Sequence, residues 1–569
     1  MKNDCPAIVI EGVSPCMDDG CFAVKCIVGD KFFVEADIFK DGHDVLEAAL
    51  LFKKKTDAQW SSTPMHLIEN DRWQAFFIPT DNARYLYTIE AWRSPHGEKT
   101  KCRYTLELVV DRKAAGYGAW YEFFPRSQAQ VPYKSATFKD CIHRLEDIKK
   151  MGFDIIYLAP IHPIGITNRK GPDNTLEIME NSPGSPWAIG NKEGGHKDIH
   201  PELGGFKEFK IFINAAKDLG LEIALDVAFQ CSPDHPYVKE HPQWFYHRAD
   251  GSIHYAENPP KKYEDIYPLN FNCEDAKNLW EELKSIIVFW IEKGVHIFRV
   301  DNPHTKPFYF WKWLIDEIQK DHPQVIFLSE AFSRPKIMKF LAKAGFTQSY
   351  TYFTWRNSKK DLRVYLEELI NTDMKDYFRA NFFANTPDIL PEYLQKGGTP
   401  AFKVRVVLAS TLSSSYGIYS GFELCENKAK PNSEEYSESE KYEIKIRNWD
   451  KPGNIKDFIA RLNTIRKENP ALQEYKNLEF YETLNEHIFC YGKRTFDNSN
   501  MIVVVVNLDP FSTHEDMVKL PLWKFGIEEW QTYQMQDLLS GEKYFWKGSS
   551  NYVRLDPQHH PAHIFSLKR

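Results

Sequence analysis

The sequence has no apolar run approaching the roughly 18 to 20 residues that a membrane-spanning helix requires, and Met1-Lys2-Asn3-Asp4 lacks the basic-then-apolar order of a secretory leader. A helical membrane anchor is therefore not expected, and a cytoplasmic location is. Positive charge is not in excess either, since 72 Lys and Arg stand against 79 Asp and Glu for a net charge of -7. No overall field is available to hold a nucleic acid or an anionic membrane, so an anionic ligand has to be met by a local site. The 10 cysteines are scattered, and the nearest approach to a cluster, Cys5, Cys16, Cys21 and Cys26, fits neither paired metal ligands nor a dense disulfide framework. Free thiols in a reducing compartment are expected. His235, His304 and the pair His559-His560 lack metal-ligand spacing, so neither a catalytic metal nor a cofactor is expected.

What is present is the composition of a globular protein: 569 residues, 43% hydrophobic, 27% charged and 14% aromatic. That length suggests three or four domains on a prior of about 150 residues each. From Ile8 to Val110, short alternating runs such as Phe32 to Phe39, Tyr85 to Trp92 and Tyr104 to Val110 are separated by turn residues, which reads as an antiparallel β-sandwich over 1–115.

After Gly118 the rhythm becomes helix, glycine, buried strand. Helix Asp140 to Met151 stops at Gly152 before the strand Phe153 to Ala159, and Phe206 to Leu219 stops at Gly220 before Leu221 to Phe229. Ala276 to Lys293 stops at Gly294 before Val295 to Val300, and Phe308 to Lys320 leads to Val325 to Ser329. Lys336 to Ala344 stops at Gly345 before an aromatic strand near Tyr350 to Trp355, with further strands near Phe378 to Ala384 and Tyr416 to Ser420. With a first strand at Ala119 to Phe124, this is the count of a (β/α)8 TIM barrel over 116–470. An open doubly wound sheet is the structural rival, disfavoured because no Gly-rich fingerprint follows the first strand. The long segments 163–205 and 232–270 read as lids, and alternating strands such as Ile502 to Val506 mark a C-terminal β-domain over 471–569.

In such a barrel the site lies where the strands end. Asp301 ends Ile297-Phe298-Arg299-Val300-Asp301, Glu330 ends Val325 to Ser329, Asp388 follows Asn381 to Pro387, and Asp226 lies within Ile223 to Val227. Carboxylates on neighbouring strand ends can stand about 5 to 5.5 Å apart, the spacing of retaining glycosyl transfer with one nucleophile and one acid/base. Arg299, two residues before Asp301, shares its strand face and can orient it and balance its charge. Any one strand-end acid is as readily a cap or an ion-pair partner; three at strand ends with an arginine at i-2 favour a site.

These residues resemble the α-amylase superfamily, glycoside hydrolase family 13. Four longer strings, Gly184-Ser185-Pro186-Trp187-Ala188-Ile189-Gly190, Gln230 to Pro236, Glu257 to Tyr263 and Asp301-Asn302-Pro303-His304-Thr305-Lys306-Pro307, are similar to the α-1,4-glucan:maltose-1-phosphate maltosyltransferases of that family. The resemblance covers nearly the whole chain. It implies that Asp301 is the nucleophile, Glu330 the acid/base and Asp388 the stabiliser of the transition state. It implies a donor site of Lys170, Gln230, Asp265, Asn302, Lys441 and Tyr442, with Asn258, Lys261 and Tyr263 on the phosphate side, and α-maltose 1-phosphate and an α-glucan as partners. A phosphate monoester near two negative charges needs such Lys, Asn and Tyr donors. Taken alone, Lys261-Lys262 reads as a solvated loop.

Two departures stand out. Asp226 is followed by Val227-Ala228-Phe229-Gln230-Cys231, without the sugar-binding histidine of common amylases. Only Arg93 to Arg103 joins Trp92 to Tyr104, so the helical insertion used for dimer contacts in the family is missing and that dimer does not carry over. Trp187, Trp244, Tyr246, Trp355 and Tyr442 are candidates to stack on sugar rings, Trp187 and Tyr442 foremost. The rival readings are an α-glucan hydrolase or disproportionating enzyme, and a non-catalytic amylase-like scaffold, which would have no need of all three acids.

Overall fold

The computed structural model describes residues 7–95, 97–129, 131, 134–178, 182–259 and 261–568. Cys5 therefore lies outside the described residues, and the nine described cysteines are all free thiols. No described helix is long and apolar enough to cross a membrane.

The N-terminal segment is a sandwich. A four-stranded sheet carries Phe32–Phe39, whose alternate residues Phe32, Val34, Ala36 and Ile38 are buried. They face a second sheet built around Leu46–Lys54, Ala83–Arg93 and Leu106–Asp111. One pair departs from the antiparallel expectation, because Leu106–Asp111 runs parallel to Val24–Ile27. Parallel neighbours need a long crossover, which the intervening strands supply. Ala83–Arg93 turns back into Thr100–Lys101 through a short connection, with no helix among its described residues.

Eight parallel strands then form the barrel: β1 Gly118–Phe123, β2 Ile155–Leu158, β3 Glu222–Val227, β4 Ile297–Asp301, β5 Ile326–Glu330, β6 Gln348–Ser349, β7 Asn381–Phe383 and β8 Ser415–Tyr419. Each predicted helix stop at Gly152, Gly220, Gly294 and Gly345 is in the left-handed region, where a side chain would be strained. The segment Tyr350 to Trp355 corrects the sequence reading: β6 lies earlier, at Gln348–Ser349, and Tyr352–Trp355 is a 3-10 turn. Aromatic content imitated a strand, whereas the barrel here closes on polar side chains. Gln348 Nε2 donates to Ala115 O at 2.9 Å, and Asn381 Nδ2 donates to Gln348 Oε1 at 3.1 Å. A parallel bridge from Ser349 to Ala380 completes the ring between β6 and β7.

Inward residues Trp120, Tyr157, Ala224, Ile297, Leu328, Tyr350 and Phe383 fill the barrel as one buried cluster. It is a packed core with no channel. A second sheet follows at the C-terminus, with Met501–Asn507 buried along its length between Ile488–Arg494 and Ala562–Lys568. The 163–205 segment has no α-helix among its described residues before Gly205, and the 232–270 segment holds the short helix Pro236–Glu240 and the hairpin Ala256–Asn258/Lys261–Tyr263.

Gly417 on β8 is a test of the interior packing, because a Cβ there would stand 2.5 Å from Phe383 Cζ. Phe383 is held by its stack on Tyr350, 4.4 Å between centroids. Gly417→Ala should lower stability by about 1–3 kcal/mol, as overpacking does, and adding Phe383→Leu should recover part of it. Thermal melts check both; an unchanged melting temperature in Gly417→Ala would mean that the interior is slack at this layer.

Candidate active site

The site is built on the C-terminal ends of β3, β4 and β5. Period-two alternation sends Arg299 and Asp301 to the same inward side of β4, and register places Asp226 opposite Arg299 and Asp301 opposite Glu330. Neighbouring strands lie about 4.8 Å apart, so these groups converge without any loop rearrangement. Arg299 Nη1 reaches Asp226 Oδ2 at 2.7 Å and Asp301 Oδ1 at 3.0 Å, and Nη2 reaches Glu330 Oε1 at 3.3 Å. One guanidinium therefore meets three carboxyl groups, all buried. Tyr157 donates its hydroxyl to Asp226.

Charge balance follows from this crowding. Burial pushes the Asp226 and Glu330 carboxyls up to about 7, against the pull of Arg299 and with the help of neighbouring acids. Burial works against the charge of Arg299, yet the acids around it hold its pKa well above the ordinary value. Glu122, inward on β1, is buried and raised by the same desolvation.

Asn302 turns the chain out of β4 in the left-handed conformation. Its N–H donates to Glu330 Oε2 at 3.2 Å, and its side-chain amide lies 3.5 Å from Asp301 Oδ2, so one residue touches both acids. Lys306 holds this turn from below, with Nζ 3.3 Å from the carbonyls of both Asp301 and Asn302.

Asp388 stands on the loop after β7 and pairs with Lys441 at 2.6 Å. Burial opposes the charge of Lys441, but the Asp388 carboxylate outweighs it and raises its pKa. Lys441 Nζ also lies 5.0 Å from the centre of the Trp187 ring, and Tyr442 beside it is buried. The segment after β8 and the segment 184–190 thus meet over the barrel mouth.

The other predicted residues divide. Lys170 is buried and held by Glu264 at 2.5 Å, and Asp265 is pushed up to about 6 by burial, with one carboxyl oxygen lacking a partner. Gln230 is engaged, donating Nε2 to Trp187 O at 3.2 Å. Asn258 and Lys261 are exposed on the hairpin and Tyr263 is half-buried there. Lys261 is bound by Glu435, which it and Lys430 bring down to about 2 although burial opposes this. The charges of Lys441, Lys261 and Asp388 all act on Tyr263, so the hairpin belongs to the same constellation. Trp244 instead stacks on His241 inside its own segment, Tyr246 is exposed, and Trp355 donates its indole N–H to Glu434.

Sequence reasoning missed Tyr157, Glu122, Lys306, Glu264 and Glu435. Tyr157 and Glu122 carried a usable signal, as polar groups within the apolar strands Ile155–Leu158 and Gly118–Phe123. It also missed that His235 comes together with His196 and Cys231. His235 Nδ1 accepts from the Tyr237 N–H at 3.1 Å, which places the proton on Nε2, 3.1 Å from His196 Nδ1; His196 Nε2 then donates to Ala228 O at 3.0 Å. All four ring nitrogens are spent on this chain, and burial lowers both histidine pKa values. The rings tie a lid to β3 as neutral imidazoles.

Arg299→Leu should cost about 3–5 kcal/mol at pH 7, because it strips a shared cation from buried acids. The loss should shrink at pH 5, where the acids take up protons. Urea unfolding at the two pH values checks this, and an equal loss at both would show that the acids do not depend on Arg299 for charge.

Comparison with known proteins places this geometry. Residues 6–98 match the family model described as alpha-1,4-glucan:maltose-1-phosphate maltosyltransferase, domain N/S, and 480–567 match the one described as GLGE, C-terminal. The α-1,4-glucan:maltose-1-phosphate maltosyltransferase of Myxococcus xanthus is 44% identical over 99% of this chain and 97% of its own length. That of Chlorobaculum tepidum is 45% identical over 98% of this chain and 96% of its own. The alignment with the Myxococcus protein runs over 648 positions, more than the 569 residues here, so the relative has stretches absent from this chain. In fold, an α-amylase from Lactobacillus plantarum matches with TM-score 0.60 at 20% identity, covering 80% of this chain and 99% of that one. A maltogenic α-amylase from Thermotoga neapolitana does so with TM-score 0.60 at 20% identity, covering 79% of this chain and 98% of that one. With near-complete coverage at this level of identity, the chain belongs to the α-1,4-glucan:maltose-1-phosphate maltosyltransferase family, on an α-amylase-like barrel.

Proposed function

We infer that this chain is a retaining glycosyltransferase that moves maltosyl units from α-maltose 1-phosphate to the non-reducing end of an α-1,4-glucan and releases phosphate. The observation that carries the reading is the in-register pair Asp301 and Glu330, joined to one arginine and touched by one asparagine. Acids on adjacent strand ends suit double displacement, in which no water need fit between them.

In the first step an Asp301 oxygen forms a bond to C1 of the donor as the C1–O bond to phosphate breaks, and Glu330 gives its proton to the departing phosphate oxygen. The product is a β-maltosyl ester. In the second step the acceptor 4-hydroxyl attacks C1, Glu330 takes its proton, and Asp301 leaves with its electron pair. Two inversions give retention. Asp388 serves the distorted sugar and its positive charge, and on donor arrival it exchanges part of its bond with Lys441 for sugar hydroxyls.

Lys170, Gln230, Asp265, Lys441 and Tyr442 hold the donor sugar in this reading, and Asn258, Lys261, Tyr263 and Asn302 meet its phosphate. Supporting it, Asp265 keeps an unpartnered buried oxygen that a sugar hydroxyl would satisfy. The free thiols accord with a cytoplasmic site of action. A dimer, if formed, uses a surface other than the missing insertion. The residues divide into a sandwich over 1–115, a barrel over 116–470 with lids, and a terminal β-domain over 471–569.

Purified protein given α-maltose 1-phosphate and maltohexaose should release phosphate and lengthen the acceptor by two glucose units at a time. Shortened or shuffled maltohexaose without phosphate would favour the amylase-type rival, and inertness the scaffold. Glu330→Ala given a maltosyl fluoride, which needs no acid, should trap an adduct on Asp301, read by peptide mass spectrometry. An unlabelled Asp301 would overturn the assigned roles.

The raised carboxyl of Glu330 fixes the pH dependence of the first step. That step needs the proton, which is present below about 7 and lost above it, so the rate of phosphate release in a single turnover should fall about tenfold per pH unit on the alkaline side. A rate flat to pH 9 would exclude Glu330 as the acid.

A further inference from the structure

Arg126 is one of several buried cations here that bind main-chain carbonyls, as Arg405 and Lys25 also do, and its carbonyls lie on two segments over the barrel mouth. It lies in the 3-10 turn Pro125–Gln128 that leaves β1, and it is 7% exposed. Its three hydrogen bonds all end on main-chain carbonyls: Nη1 to Gly184 O at 2.9 Å, and Nη2 to Glu440 O at 2.9 Å and Lys441 O at 3.0 Å. Its Nε has no partner. Burial lowers its pKa to about 10, which leaves it charged at neutral pH. A buried charge whose hydrogen bonds all go to carbonyls, with the Phe124 ring 5.9 Å away, is an expensive way to fill space, and an apolar side chain would do that better.

The three carbonyls belong to two segments far apart in sequence. Gly184 opens the segment that carries Trp187, and the 440–441 pair carries Lys441 with Tyr442 next to it. On the donor side of the same segments, Lys441 Nζ sits over the Trp187 ring and binds Asp388. The backbones are thus joined at Arg126 and the side chains at the Lys441–Trp187 contact. Between the segments and the barrel lies a cavity of about 210 Å³, lined by Arg126, Arg169, His162, His200, Pro186 and Ile444 among others. Over that volume the lids do not rest on packed side chains, although Trp187 packs edge-on against Phe124 beside it, 5.8 Å between centroids.

We propose that Arg126 is a positioning residue for the donor site: it clasps the two lids through their carbonyls, which places Lys441 and Trp187 over the sugar and keeps water from the glycosyl-enzyme. This rests on the donor pocket described under Proposed function. A planar fork is required, because the acceptors lie on two segments and a lysine ammonium presents a single point of charge.

The test compares Arg126→Lys with Arg466→Lys. Arg466 is also buried and also donates to a carbonyl, that of Ser414 at 2.5 Å, but at the opposite end of β8. In Arg126→Lys the KM for α-maltose 1-phosphate should rise about tenfold or more with kcat changed much less, and free maltose should form a larger share of the product. Arg466→Lys should lower the melting temperature and leave KM and the maltose share in place. An unchanged KM and maltose share in Arg126→Lys, or an equal rise in Arg466→Lys, overturns the clasp. If Arg126→Lys does not fold, amide exchange on the wild-type protein decides: residues 184–187 and 439–442 should open as one unit, and separate opening rates refute the proposal. A wild type that releases no phosphate would refute the function itself, whereas normal wild-type turnover matched by Arg126→Lys refutes only the clasp.

Discussion

The bond set of Arg299 is the constraint on which the rest of the site depends. Three carboxyl groups within reach of one guanidinium is a poor arrangement for stability, since each buried acid must be desolvated and the acids repel one another. The same cation touches Asp301 and Glu330, and burial raises the Glu330 carboxyl to about 7 against its pull. Glu330 is prepared to carry the proton by its burial, against the pull of Arg299.

That arrangement is rigid because it is made on strands. Asp226, Arg299, Asp301 and Glu330 sit on β3, β4 and β5, and their mutual placement is fixed by parallel register and by the packed interior beneath them. The ring closes on side chains at β6 and β7, where Gln348 and Asn381 supply the bonds that such short strands cannot. The donor side has the opposite character. Lys170, Asp265, the hairpin lysine and tyrosine, Lys441 and Trp187 come from three loop segments, and the three lysines are each held by an acid: Glu264 for Lys170, Glu435 for Lys261, Asp388 for Lys441. Chemistry is mounted on the scaffold and recognition on its coverings, which suits a transferase that has to admit an acceptor and exclude water.

Much of this was legible in the chain. Glycine after four of the amphipathic helices announced the barrel units, because a left-handed residue is needed where those helices turn into a strand. The acids at Asp301 and Glu330 were readable because a charge at the end of an apolar strand is rare unless it serves a site. The failures have equally physical causes. Tyr350 to Trp355 looked like a strand because aromatic residues suit both a pleated surface and a buried turn. Glu264 and Glu435 were invisible because a glutamate in a loop has no periodicity to betray its partner, and the neutral chain through His235 and His196 joins residues 39 apart.

The sequence by itself determined the order of elements, the apolar interior and the chemical inventory at each strand end, since these follow from local periodicity and residue type. Tertiary structure alone decided the burial of the acids and the contacts among the loops above them. How strongly each acid is desolvated depends on its burial, and which loop residues meet depends on how three segments dock over the barrel mouth. Those are sums over neighbours distant in sequence, and no local pattern encodes them.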